Sequence, residues 1–399
     1  MFWNKQQMDI LLNIEKHERK GTPCIIAGAW GTGKTLLLAY KAFKLSSEGR
    51  KVVFISSLDS EIDKVTQKHY VFEEKIRMDF ESNKNIKFYT MKDIVKYIEE
   101  QYTGNQRSDP GLLQCVTTTT DQCDQCEVQD HHNDCMLIHF VKERVRTGTY
   151  HILIDELEVD KNLSIGIYQL LQAIKIDSGS LTVAMSGDTE PYTLRYTQLD
   201  NEPTIETIVL KKIMRMCQEI YNEVTTNPEH AIFPWIKDIL VKQSTVQHTV
   251  LGCKPEYIKV SSKDEVFSIG LKEALSKVAS HPVVVVLFWI DYPNYENVLN
   301  VFRVEEVIRA NSDKPVIAFT GERSELDDLR DFLRNPSGFL VTSPDLYNGM
   351  EAMSVINIYS DKIYNLGIPG MCRATTSLLN IVYEEDFIFR ISKQRAPNY

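Results

Sequence analysis

The chain lacks any long apolar run. Its most hydrophobic stretch, Pro282 to Ile290, is far shorter than the roughly 20 residues a membrane-spanning helix needs, so no membrane partner is expected. The start, Met1-Phe2-Trp3-Asn4-Lys5-Gln6-Gln7, has no basic head followed by an apolar core, and a secretory leader is therefore not expected. Positive charge is in deficit: 45 Lys and Arg against 55 Asp and Glu give a formal net charge of −10. That excludes a global basic field that would draw in nucleic acid, though it leaves room for a local basic groove. There is no internal repeat, and no low-complexity tract longer than Thr117 to Thr120, which excludes solenoids and linker-like chains. Eight cysteines without a leader imply free thiols in a reducing compartment, and hence a cytoplasmic or nuclear, intracellular location. What is present is ordinary for a soluble globular protein with sizeable cores, at 43% hydrophobic and 25% charged residues. A length of 399 residues predicts about two domains at ~100–200 residues each.

One stretch organises the rest. Gly28-Ala29-Trp30-Gly31-Thr32-Gly33-Lys34-Thr35 matches the phosphate-binding loop G-x-x-x-x-G-K-[ST] at every fixed position. The apolar run Cys24-Ile25-Ile26-Ala27 before it reads as a buried strand. Leu36 to Leu45 after it reads as a helix that stops near Gly49. Strand, glycine-rich loop and helix together let backbone N–H groups curl around phosphate oxygens at a helix N-terminus. Lys34 is then expected at the terminal phosphates of a nucleoside triphosphate, and the Thr35 hydroxyl on Mg²⁺.

Further strands are predicted at Val52–Ile55 and Ile86–Tyr89, and a capping box at Thr90–Asp93 opens a helix with Met91, Ile94, Val95 and Ile98 on one face. Strands alternating with helices point to a parallel sheet covered on both sides. His151-Ile152-Leu153-Ile154-Asp155-Glu156 is an apolar strand ending in two acids. In nucleotide hydrolases a carboxylate at such a strand end holds Mg²⁺ and the next acid orients the attacking water, which makes Asp155 and Glu156 the candidates here. The stretch from about Gln101 to about 136 breaks the rhythm. It carries Cys115, Cys123, Cys126 and Cys135 with His131 and His132, a set that suits Zn²⁺ first and an iron–sulfur cluster second. A surface loop with unpaired thiols remains the alternative. The next strand, Leu181 to Ser186, runs into Gly187-Asp188.

In this order the motifs resemble superfamily 1 helicases. Asn4-x-x-Gln7-x-x-Ile10-Leu11 resembles the family's adenine-reading glutamine motif. Leu210-Lys211-Lys212-Ile213-Met214-Arg215 resembles the segment that opens the second motor domain with a phosphate-contacting arginine. Tyr347-Asn348-Gly349-Met350-Glu351 resembles the motif whose glycine and glutamate, Gly349 and Glu351 here, touch the ribose. Met371-Cys372-Arg373-Ala374 resembles the last motif, whose arginine also reaches the terminal phosphate. The resemblance covers nearly the whole chain. It implies two RecA-like α/β domains of the P-loop NTPase type, with parallel sheets and helices on both faces. The first would span 1–209, with the Cys-rich insertion at about 101–136, and the second, 210–399, would complete the ATP cleft. The implied nucleotide-binding set is Gln7, Gly28, Ala29, Trp30, Gly31, Thr32, Gly33, Lys34, Thr35, Gly349 and Glu351. The implied catalytic set is Lys34, Asp155, Glu156, Arg215 and Arg373.

Two departures bear on what the motor acts upon. Pro191 stands where the family has a glutamine that links nucleotide to nucleic acid. Ile55-Ser56-Ser57-Leu58 replaces an aromatic-bearing motif that stacks a base. The resemblance therefore implies either an ATP-hydrolysing motor on single-stranded DNA or RNA, or an ATP-driven regulatory or defence switch that acts through a protein partner.

Overall fold

In the first half of the chain, short runs of aliphatic residues with no polar alternation form strands buried on both faces, as expected of parallel sheets. The computed structural model describes residues 7–9, 11–12, 24–28, 31–57, 69–104, 137, 140–141, 144, 150–157, 180–185, 206–210, 212–213, 216–226, 245–246, 252–288, 296–361 and 370–384. Outside these lie Ala29 and Trp30 of the loop, Leu58, Arg215, all four candidate zinc cysteines with both histidines, the Gly187–Pro191 turn, and most of 227–254.

Contacts divide the chain into two units. The first comprises Met1–Gln67, Ile76–Ile213 and Lys242–Thr245; the second comprises Lys68–Lys75, Met214–Val241 and Val246–Tyr399.

The first unit is built on β1 (Cys24–Gly28), α1 (Lys34–Ser47), β2 (Lys51–Ser56), α2 (Val71–Phe80, whose first turns belong to the second unit), β3 (Ile86–Thr90), α3 (Met91–Gly104), β4 (Tyr150–Leu157), β5 (Ser180–Met185) and β6 (Glu206–Leu210). The six strands form one sheet in the order β3-β2-β4-β5-β1-β6, and every pairing is parallel. From β1 the chain crosses three places to β2, while β6 later pairs on the other side of β1. Connections that leave in opposite directions open a crevice at the carboxyl ends of the strands, where open α/β sheets take ligands. Helices cover both faces. Ile25, Ala27, Val53 and Ile55 pack with Met91, Ile94 and Ile98 of α3 and with Leu137, Phe140 and Val141. On the other face the rings of Phe43, Phe54, Phe80 and Phe88 cluster, with neighbouring centroids 5.1–6.5 Å apart. Each such ring pair contributes about 0.5–1.5 kcal/mol beyond its burial. The expected cap of α3 is reciprocal: the Thr90 N–H donates to Asp93 Oδ2 at 2.9 Å, and the Asp93 N–H donates to Thr90 Oγ1 at 3.2 Å.

A two-stranded pair, β7 (Lys212–Ile213) with β8 (Thr245–Val246), follows, together with α4 (Gln218–Thr226). The second unit's sheet comprises β9 (Glu256–Val260), β10 (Val283–Phe288), β11 (Val316–Ala318), β12 (Gly338–Thr342), β13 (Ala352–Ser360) and β14 (Ala374–Tyr383). Its order is β11-β12-β10-β13-β14-β9, again parallel throughout. Helices α5 (Leu271–Val278) and α6 (Glu296–Asn311) bury Leu271, Ala274, Val301 and Val304 against Val284, Val286, Ile356 and Ile358 on one face. Residues of opposite parity, Leu340, Val355 and Tyr359, are also buried, so the second face is covered too. A short 3₁₀ turn, Arg323–Glu325, with Glu322 and Glu325 as its capping box, continues as α7 (Leu326–Arg334). Both units are RecA-like α/β domains. Among the described residues no helix is long and apolar enough to cross a membrane.

Candidate nucleotide site

The phosphate loop leaves the carboxyl end of β1, the strand at the reversal point of the first sheet. Its glycines are required by geometry. Gly31 has φ 73° and Gly33 has φ 88°, left-handed values that disfavour a side chain. At Gly28 a Cβ would lie 2.9 Å from the Leu210 carbonyl and 2.9 Å from Thr32 Oγ1. Gly33 is the N-cap of α1, and its carbonyl accepts the first helical bond from the Leu37 N–H at 3.0 Å. Among the described residues no side chain caps this helix start. Its N–H groups are thus aimed at the loop, as an anion site needs.

Lys34 is buried, and its ammonium donates to the Gly28 carbonyl at 2.9 Å, spanning the loop from within. Gln7 is also buried, and its Nε2 lies 2.9 Å from where a Gly33 Cβ would be. Gln7 is therefore packed onto the loop itself.

The acids sit at the end of β4. Asp155 is fully buried, and among the described residues neither carboxylate oxygen meets a donor at full hydrogen-bond geometry, the Thr35 hydroxyl being the side-chain donor beside it. Burial pushes its pKa from 3.8 to about 7, with the Glu156 charge adding to the rise. The Thr35 hydroxyl and the Lys34 ammonium lie near enough to pull it partly back. The next residue, Glu156, is half-buried and has φ 55°, the one non-glycine positive φ among the described residues. The cause is local. Ile154 pairs with Val183 but the next pair is Leu157 with Met185, so β4 carries one extra residue at Asp155–Glu156. Such a bulge redirects side chains at a strand end, and a left-handed glutamate costs about 1–3 kcal/mol unless the surroundings hold it. The Ser57 N–H and hydroxyl provide part of that hold, donating to the Asp155 carbonyl at 3.0 and 2.9 Å.

The donor set fits Mg²⁺. A buried carboxylate this short of donors is costly unless a proton or a cation sits beside it, and the Thr35 hydroxyl supplies a second hard oxygen. Among the described residues no group of three or more His, Cys, Asp or Glu side chains converges. Mg²⁺ sites that use one or two protein oxygens plus substrate phosphates need no such group.

In the second unit Arg373, Gly349 and Glu351 lie on described segments, while Arg215 lies outside them. Arg373 is 5% exposed and donates through Nη2 to Asn348 Oδ1. Gly349 follows with φ 79°, Glu351 is exposed, and the Tyr347 hydroxyl donates to the Glu351 carbonyl at 3.0 Å. Two participants escaped the sequence reading. Asn348 had only the turn signal of an Asn-Gly pair. Phe72, whose ring packs on Gly349, had no signal at all, because its neighbour lies hundreds of residues away.

No family model matches the chain, and neither does any curated protein sequence. Among solved structures it is similar to the DUF1998 helicase MrfA bound to DNA, at 10% identity and a TM-score of 0.43, over 99% of this chain and 52% of that one. The same helicase bound to DNA and AMPPNP matches at 10% identity and a TM-score of 0.42, over 97% of this chain and 50% of that one. The chain spans about half the length of these structures. At this similarity the fold rests on the two parallel sheets themselves.

Proposed function

We propose that the chain is an ATP-binding and ATP-hydrolysing motor of the superfamily 1 helicase type, acting on single-stranded nucleic acid. The observation that supports it best is the fully buried Asp155 carboxylate, raised to about 7 by burial, lying beside Thr35 and Lys34 at the start of α1. Loop N–H groups and the Lys34 ammonium bind the triphosphate. Thr35 and Asp155 would hold Mg²⁺, which would neutralise phosphate charge. Glu156, turned by the bulge, orients the attacking water and accepts its proton. Arg373, with Arg215 by resemblance, serves the terminal phosphate, where a planar, permanently charged fork suits the charge that develops.

The second reading, an ATP-driven switch acting on a protein partner, is favoured by a specific feature. Ser56 and Ser57 stand where the family places a stacking aromatic, and both are buried, with Ser57 bracing the Asp155 carbonyl. Pro191 and the net charge of −10 point the same way.

Steady-state ATPase, with and without single-stranded DNA or RNA at low stated salt, tests both readings. The motor reading expects turnover that rises with a single strand and disappears in Lys34→Ala. Turnover indifferent to nucleic acid selects the switch. Unchanged turnover in Lys34→Ala would end the ATPase reading itself.

A further inference from the structure

We propose that Asn348 is a positioning residue for Arg373, a side-chain acceptor that presents the guanidinium in one orientation for use at the nucleotide. The inference rests on the reading of Arg373 as a phosphate-directed arginine.

Asn348 Oδ1 accepts two bonds, one from the Gly349 N–H at 2.9 Å and one from Arg373 Nη2. A backbone amide and a guanidinium can only donate, so the amide oxygen must face both, and the orientation of the Asn348 side chain is settled by its partners. Arg373 is fixed at its base as well. Its N–H donates to the Gly370 carbonyl at 3.1 Å, and its own carbonyl accepts from the Ala352 N–H at 2.9 Å, tying it to the start of β13. With its backbone tied to neighbouring segments and its guanidinium bonded to Asn348, Arg373 has little rotamer freedom left to lose on meeting a ligand.

The turn that carries Asn348 is itself held. Gly349 has φ 79°, and a Cβ there would lie 2.8 Å from Phe72 Cγ, so the ring closes directly on the glycine. Phe72 sits in the segment Lys68–Lys75, which belongs to the second unit and is bonded to it at several points. The His69 N–H donates to the Gly321 carbonyl at 2.9 Å, and the Val71 N–H donates to the Leu346 carbonyl at 3.0 Å. Arg330 grips Glu74 Oε2 with Nε at 3.1 Å and Nη2 at 3.0 Å, and Glu74 is buried. This charge-assisted fork and the ring together keep the Asn348–Gly349 turn from shifting. A side chain supported in this way keeps a functional group within the few tenths of an ångström that productive geometry requires.

A double-mutant cycle tests the proposal on the full chain, using the wild type, Asn348→Ala, Arg373→Ala and the double variant. The readouts are kcat for ATP, ADP affinity and the melting temperature. Asn348→Ala is expected to lower kcat about tenfold, within the coupling range of side chains in direct contact, with ADP affinity unchanged. In the Arg373→Ala background the same substitution should cost less than about twofold, because the group it positions is gone. Asn348→Ser guards against a folding defect: its hydroxyl can still take the Gly349 N–H but is too short to reach the guanidinium. It should therefore melt like the wild type and turn over like Asn348→Ala. Wild-type kcat in folded Asn348→Ser, or equal losses in both backgrounds, overturns the proposal alone. Normal turnover in Arg373→Ala removes the reading beneath it as well.

Discussion

At the scale of single residues, Asp155 is where folding and chemistry conflict. Its carboxyl is fully buried at the end of β4 and titrates near 7 rather than at 3.8. The folded state therefore binds a proton that the unfolded chain has already lost between those values. Stability from this group is fully present below about pH 4 and is lost as pH rises through about 7. At pH 8 without metal, the fold carries a buried charge that a neutral isostere would not. We expect Asp155→Asn to be more stable than the wild type at pH 8 in EDTA, by on the order of a few kcal/mol, with the difference vanishing toward pH 4. Urea titrations of both proteins across that range check it, and equal stability at every pH would contradict the burial argument. The same substitution should abolish turnover, since a site tuned for a cation gives up stability when empty.

At the scale of elements, the unit β1–loop–α1 is a backbone device, and its glycines do different work. Gly33 and Gly49 flank the same helix with φ 88° and 77°. A methyl at Gly33 would meet Gln7 Nε2 at 2.9 Å, whereas at Gly49 nothing among the described residues lies within 4 Å. Alanine at either position costs about 1–2 kcal/mol for a left-handed backbone. Only at Gly33 does it also push Gln7 off the loop and alter the first turn that faces phosphate. Gly33→Ala should thus lower affinity for a fluorescent ATP analogue by at least about tenfold, while Gly49→Ala should melt earlier with affinity intact. Equal affinities in the two variants would show that the loop's conformation is not what binds.

At the scale of the whole molecule, the proposed chemistry is divided. The first unit carries Lys34, Thr35, Asp155 and Glu156; the second carries Gly349, Glu351 and Arg373. Arg215 lies outside the described residues, and its role is carried by the resemblance. If both arginines serve the terminal phosphate, Arg215→Ala and Arg373→Ala should each slow ATP turnover by on the order of 10³-fold. ADP affinity should barely change, because ADP lacks the group they contact. Calorimetric ADP titrations beside steady-state turnover separate the two effects. Near-normal rates in both variants would confine the ATPase to the first unit.

What the sequence determined by itself was local. Apolar runs such as Val52–Ile55 and Val283–Phe288 make parallel strands because burial on both faces tolerates no polar alternation. The phosphate loop was legible because its backbone demands glycine at fixed spacing, and the Thr90–Asp93 cap because its two partners are three residues apart. The edge strand Glu206–Leu210 was not read as a strand, since its identity comes from pairing with β1 far upstream. The bulge that turns Glu156 was equally invisible, because it depends on the register of β4 against β5. So were Phe72 on Gly349 and Asn348 on Arg373, where the partners come from distant segments. Tertiary structure decided these because register and long-range contact depend on which strands become neighbours, and no local period encodes that.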